Sequence, residues 1–144
     1  MLRKAALTAI LLGGCAWVPA LVTRADSAEP EKAAAAFKPV ASVHTLMEGQ
    51  GIFFKRIGDA LQDPQTPKRS KEIAFGAEFL AELANVNTHN KDQADYVQWA
   101  GQLRDTAMEL AGEAKKKGDA DEDKMNSLFS RLEATCKACH EKYQ

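Results

Sequence analysis

The sequence predicts an all-α fold, an antiparallel four-helix bundle, and three observations carry that expectation. From Pro39 onward, apolar residues recur at three- and four-residue steps. No stretch alternates with a period of two for long enough to make a strand. Proline, glycine and asparagine divide the pattern into four segments with short connections, for which antiparallel neighbours are the default.

In the first segment Val40, Val43, Met47, Phe54, Ile57 and Leu61 fall on one stripe, with Gln50 as its polar interruption. Pro39 suits a first helical turn, and Asp63-Pro64 ends the pattern because proline disfavours helix in the residue before it. The second segment is expected after Thr66-Pro67, a hydroxyl cap followed by a first-turn proline. Its face is Ile73, Ala77, Leu80, Leu83 and Ala84, with Phe75, Phe79 and Val86 beside it, and Asn87-Thr88-His89-Asn90 breaks it. The third opens with Asn90 as cap and Gln93 three residues on, a capping-box spacing. It is expected to bury Val97, Ala100, Leu103, Ala107 and Leu110, and to stop at Lys115-Lys116-Lys117-Gly118, cations followed by glycine. The fourth starts at Asp119 or Asp121 and carries Met125, Leu128, Leu132, Cys136, Cys139 and Tyr143 on its stripe, flanked by Phe129.

The chain has 144 residues, room for one domain. Residues 1–28 read as a secretory signal peptide: Arg3 and Lys4, the apolar run from Ala5 to Val22, then small residues with cleavage after Ala25 or Ala28. Leu12-Gly13-Gly14-Cys15 also resembles a lipoprotein box, which gives a lipid anchor through Cys15 as the alternative; Ala16 to Val22, still apolar, makes a poor tether. As an uncleaved span the run is short and interrupted by Gly13, Gly14 and Pro19, so the mature form is expected to have no membrane span. Residues 29–38 read as a flexible lead-in and residues 39–144 as the bundle. The expected location is periplasmic.

Loss of residues 1–28 takes Arg3, Lys4, Arg24 and Asp26 and moves the formal charge from −1 to −3. A mildly acidic, mixed surface gives nucleic acid no electrostatic footing. Of three cysteines, Cys15 belongs to the leader, so the remaining pair makes no disulfide scaffold.

That pair sits in Cys136-Lys137-Ala138-Cys139-His140, the C-x-x-C-H haem attachment sequence. Two thiols at this spacing can form thioethers with two vinyl groups on one porphyrin. The adjacent imidazole then donates a neutral nitrogen to iron. On a helix, residues 136, 139 and 140 share a face. Structural zinc needs four protein ligands, and beyond the motif only His44 and His89 remain as soft donors. A redox disulfide leaves the histidine without a role. One covalent haem c is the expected cofactor, with His140 as axial ligand.

The run Cys136 to Tyr143, the four helical segments and the first-helix sequence Leu46-Met47-Glu48-Gly49-Gln50-Gly51 together resemble class II c-type cytochromes, meaning cytochrome c-prime and its low-spin relatives. The likeness extends from about Pro39 to Gln144. It implies a haem on the C-terminal helix of the bundle, a first-helix segment facing that haem and, in low-spin members, a methionine ligand in the matching run. Met47 is therefore the candidate second axial ligand. His44, one turn earlier, ranks next. Met125 lies fifteen residues before His140 on the same helix, about 22 Å along its axis, and is out of reach. Gln50, Phe54 and Tyr143 are candidate pocket residues, and Phe53 or Phe54 would cover the iron if Met47 turned aside. Tyr96 and Trp99 read as core or haem-edge packing.

Methionine–histidine ligation leaves no vacant position and suits outer-sphere electron transfer between redox protein partners. A vacant position, as in high-spin relatives, suits nitric oxide or carbon monoxide. A haem peroxidase ranks third, because it needs an acid–base group and only His44 is a candidate. The first reading is a carrier, not an enzyme. The resemblance also implies pairing of two copies through the first two helices, where Gly49, Gly51 and Gly58 would permit close approach.

Overall fold

The computed structural model describes residues 37–143. The signal peptide, its cleavage points, Cys15 and most of the lead-in lie outside the described residues. Four α-helices follow in order: α1 (Val43–Gln62), α2 (Arg69–Asn87), α3 (Ala94–Ala114) and α4 (Glu122–Tyr143), with a single 3-10 turn, Lys117–Asp119, before the last. There is no strand among the described residues. Each helix packs on the next, short turns join them, and the four make an antiparallel bundle.

The apolar stripes supply the core. Ile57, Ile73, Leu80, Leu110, Met125 and Leu132 are all but completely buried. Each such side chain contributes about 1.5–3 kcal/mol relative to an exposed one. Alanines 77, 84, 107 and 114 fill the narrow places between them. Where α1 meets α2 the backbones come close: a Cβ on Gly76 would lie 2.8 Å from Ile57 Cγ1 and 3.6 Å from the Phe53 carbonyl. Helix α4 reaches α1 through the Phe54 and Phe129 rings, stacked at 4.5 Å.

Arg69 ties three helix ends together. Its guanidinium donates to the Ala60 carbonyl at 2.7 Å and the Leu61 carbonyl at 3.1 Å, both otherwise free at the end of α1. It also makes a two-pronged pair with Glu122 in the first turn of α4, at 2.5 and 2.7 Å. At the same end, the nearly buried carboxylate of Glu113 accepts from Lys116 Nζ (2.9 Å) and the Asp121 N–H (3.1 Å). Lys124 Nζ is 3.2 Å away. These donors, Lys116 foremost, hold its carboxyl down at about 2.

Several helix ends differ from the sequence expectation. α1 begins at Val43, not Pro39, because the Ser42 side chain accepts the Thr45 N–H at 3.1 Å, and Val40 is wholly exposed. Thr66 does not cap α2; its hydroxyl donates to Asp63 at 3.4 Å, and the helix starts from Lys68 in a left-handed conformation, φ 56°. The Asn90 amide donates to Asn87 at 3.0 Å instead of capping α3, whose cap position is Gln93 with no side-chain bond. After α3 the left-handed residue is Lys117, φ 57°, and not Gly118. Asp121 does cap α4, accepting the Lys124 N–H at 3.0 Å. Within α3, Tyr96 is buried and Val97 is exposed, one position off the expected face.

Candidate functional site

One pole of the bundle gathers the start of α1, the end of α2, the start of α3 and the end of α4 around a narrow cleft of about 30 Å³. From α4 come Cys136, Cys139 and His140, set on adjacent turns of one helical face as the spacing requires. Both thiols are half-buried and neither is in a disulfide. Burial, and then the neighbouring thiol, pushes Cys136 up to about 11. Burial and the nearby Asp95 carboxylate raise Cys139 as well. The pair is thus kept as neutral thiols facing a partly apolar space.

Across the cleft α1 contributes Met47 and Gln50, and α3 contributes Tyr96 and Trp99. Two buried donors here have no partner among the described residues: Gln50 Nε2 and the Tyr96 hydroxyl. A buried unpaired donor costs about 1–3 kcal/mol, so two on one cleft mark a place for a group that brings acceptors. A haem has apolar faces, two vinyl groups for the thiols and two carboxylates as acceptors. The residues present fit it. Among the described residues no group of three or more His, Cys, Asp or Glu side chains is placed to hold a bare metal ion, so a zinc site has no donor set there.

The other candidates fall elsewhere. His44 is exposed and turned to Glu48, 3.4 Å away on its own helix. Phe54 does not line the cleft, because its ring is stacked on Phe129 in the bundle. Phe53 lies on the outer side of α1 against Phe79, at 4.9 Å. Tyr143 stands behind the cleft wall, edge-on to Tyr96 at 5.3 Å and to Trp99 at 6.1 Å. Met47 and Gln50 share the cleft with His140.

Two residues on or beside this site were not anticipated. Asn87 lines the cleft from the last position of α2, buried, with its carbonyl oxygen taking the Asn90 amide. Asp95, in the first turn of α3, accepts three donors: the Tyr96 N–H at 2.9 Å, the Tyr143 hydroxyl at 2.6 Å and the Lys142 ammonium. Those bonds, Lys142 first, lower its carboxyl to about 2, and the same carboxylate pushes Tyr143 up to about 12. Lys91 sits over the rings of Tyr143 (5.1 Å) and Tyr96 (5.7 Å). An acidic residue in a first helical turn was the one sequence signal for Asp95, and that signal alone is common.

Residues 89–144 match the family model described as Cytochrome C'. The match takes in α3 and α4, hence the wall with Tyr96 and Trp99 and the whole attachment motif, and leaves α1 with Met47 outside it. No curated protein and no solved structure matches the chain.

Proposed function

On the match of residues 89–144 to the Cytochrome C' model, we propose that the chain is a class II c-type cytochrome and a periplasmic electron carrier. One haem c is held by thioethers from Cys136 and Cys139, with iron bound between His140 and Met47. The observation that supports this reading is the meeting of Met47 from α1 with His140 from α4 on a single cleft, while His44 turns outward. When bound, the haem supplies a one-electron redox centre, and a histidine–methionine pair raises its potential. The chain's own residues do the rest. Met47 and His140 would approach the iron from α1 and α4, which meet through the stacked rings of Phe54 and Phe129. Tyr96 and Trp99 exclude water from one side, and Gln50 and Tyr96 offer donors to the carboxylates.

The test is an absorption spectrum of the purified protein, oxidised and reduced. The wild type should be low-spin, and Met47→Ala should convert it to high-spin. A wild type that is already high-spin and takes up carbon monoxide readily would overturn the ligand assignment. That outcome would favour a second reading, a protein that binds nitric oxide or carbon monoxide, for which the unpaired Gln50 amide is a ready donor to a bound diatomic. The peroxidase reading gains no support, because its histidine stands outside the cleft paired with Glu48.

The carrier is also proposed to pair with a second copy through α1 and α2. Ile52, Phe75 and Phe79 are exposed there, and Phe53 joins them in a run of touching rings. Two of the three glycines expected to serve this face point inward instead. A Cβ on Gly49 would meet Leu83 at 3.1 Å, and one on Gly58 would meet Phe129 at 3.0 Å. Only Gly51 of the three is open on that side. Among the described residues no helix is long and apolar enough to cross a membrane.

A further inference from the structure

We propose that Asp95 is a positioning residue for the iron ligand: by holding Tyr143 and Lys142 against the start of α3, it fixes the last turn of α4, and so the orientation of the His140 ring. The inference rests on the reading of His140 as an axial ligand.

The physical need is plain from where His140 stands. His140 is carried on the last described turn of α4, which reaches Tyr143. His140 itself is exposed, and no side chain among the described residues hydrogen-bonds it. The bonds from this turn to another helix run to one carboxylate: Tyr143 donates its hydroxyl at 2.6 Å and Lys142 its ammonium. Asp95 is in turn fixed by accepting the Tyr96 N–H at 2.9 Å, in a first turn where the helix dipole favours an anion. The Tyr143 ring then abuts Tyr96 and Trp99, the two aromatics that wall the cleft. One side chain thereby couples the position of the helix end that bears His140 to the wall beside it. The Lys137–Glu141 pair, at 4.0 Å within α4, leaves the helix end free to move as a unit.

Three variants separate positioning from charge and from plain stability. Tyr143→Phe keeps the carboxylate and its charge but removes the hydroxyl bond. Asp95→Asn keeps an acceptor for Tyr143 and removes the charge. Asp95→Ala removes both. The readout is the set of hyperfine-shifted haem methyl resonances in the oxidised holoprotein, whose order and spread follow the plane of the axial imidazole, taken alongside the reduction potential. Tyr143→Phe and Asp95→Ala should shift the methyl pattern. Asp95→Asn should keep the wild-type pattern while its potential rises, because loss of a negative charge beside the cleft wall disfavours the oxidised state. Asp105→Ala, on the same helix but paired outward with Arg104, should shift neither. If Tyr143→Phe and Asp95→Ala melt at lower temperature yet retain the wild-type methyl pattern, Asp95 is a structural brace only and the proposal fails. Tyr143→Phe carries the test if Asp95→Ala does not fold. A wild type whose mass includes no haem would overturn the reading of His140 as well, and is distinguished by mass spectrometry before any variant is made.

Discussion

Glu113 shows how much one side chain can hold at a junction. Its carboxylate is 2% exposed and takes donors from Lys116, Lys124 and the backbone of Asp121, so the turn between α3 and α4 is organised around a single negative charge. Its folded-state value of about 2 lies below the ordinary 4.5, so the stabilisation is fully present above about pH 4.5 and is lost as pH falls toward 2. Urea midpoints measured between pH 6 and pH 2 should fall on acidification, and Glu113→Gln should flatten that fall while lowering the midpoint at neutral pH. A variant with the wild-type slope would remove Glu113 from the account. The residues of the cleft were unevenly legible. Cys136, Cys139 and His140 follow from an unbroken pentapeptide whose spacing is dictated by the chemistry. Met47 falls on the apolar stripe while His44, one turn earlier, lies off it, and in the structure His44 turns outward to Glu48. Asp95 offered only a common first-turn acid as a signal, because its side-chain partners lie 47 and 48 residues away.

Among the helices, the crossing of α1 and α2 is the least forgiving. The space above Gly76 is taken by Ile57, which is completely buried and has nowhere to go. Gly76→Ala should cost about 1–3 kcal/mol through overpacking, despite the better helix propensity of alanine. A thermal melt of the holoprotein would show it, and a melt at or above the wild-type temperature would mean that the helices separate more easily than this contact implies. Helix existence was plain from periodicity, since Ile57, Ile73, Leu80, Leu110 and Leu132 all fall where the stripes place them. Helix ends were not. Ser42, Thr66 and Asn90 are all capable caps, yet only Ser42 caps a helix, because Asp63 and Asn87 engage the other two. A propensity names the residues that can close a helix, and the neighbouring turn decides which of them does.

At the scale of the molecule, the outer face of α1 and α2 is the part that the single chain leaves unfinished. Phe75 and Phe79 are 39% and 46% exposed, although the pattern placed them beside the core. The stripe and its neighbours differ by a fraction of a turn, and a period alone does not separate them. Phe79→Glu should reduce self-association in sedimentation at concentrations where the wild type pairs, while the haem spectrum stays the same. A wild type that sediments as a monomer throughout would dismiss the pairing. The two poles of the bundle also have different duties. The cleft with Cys136, Cys139 and His140 occupies one. At the other, Lys68 and Lys117 both hold a left-handed backbone that side chains with a Cβ resist. That remote pole therefore carries conformational tension apart from the cleft, and an engineer seeking a hardier protein could relax it with glycine at two positions a whole helix away from the cysteine pair.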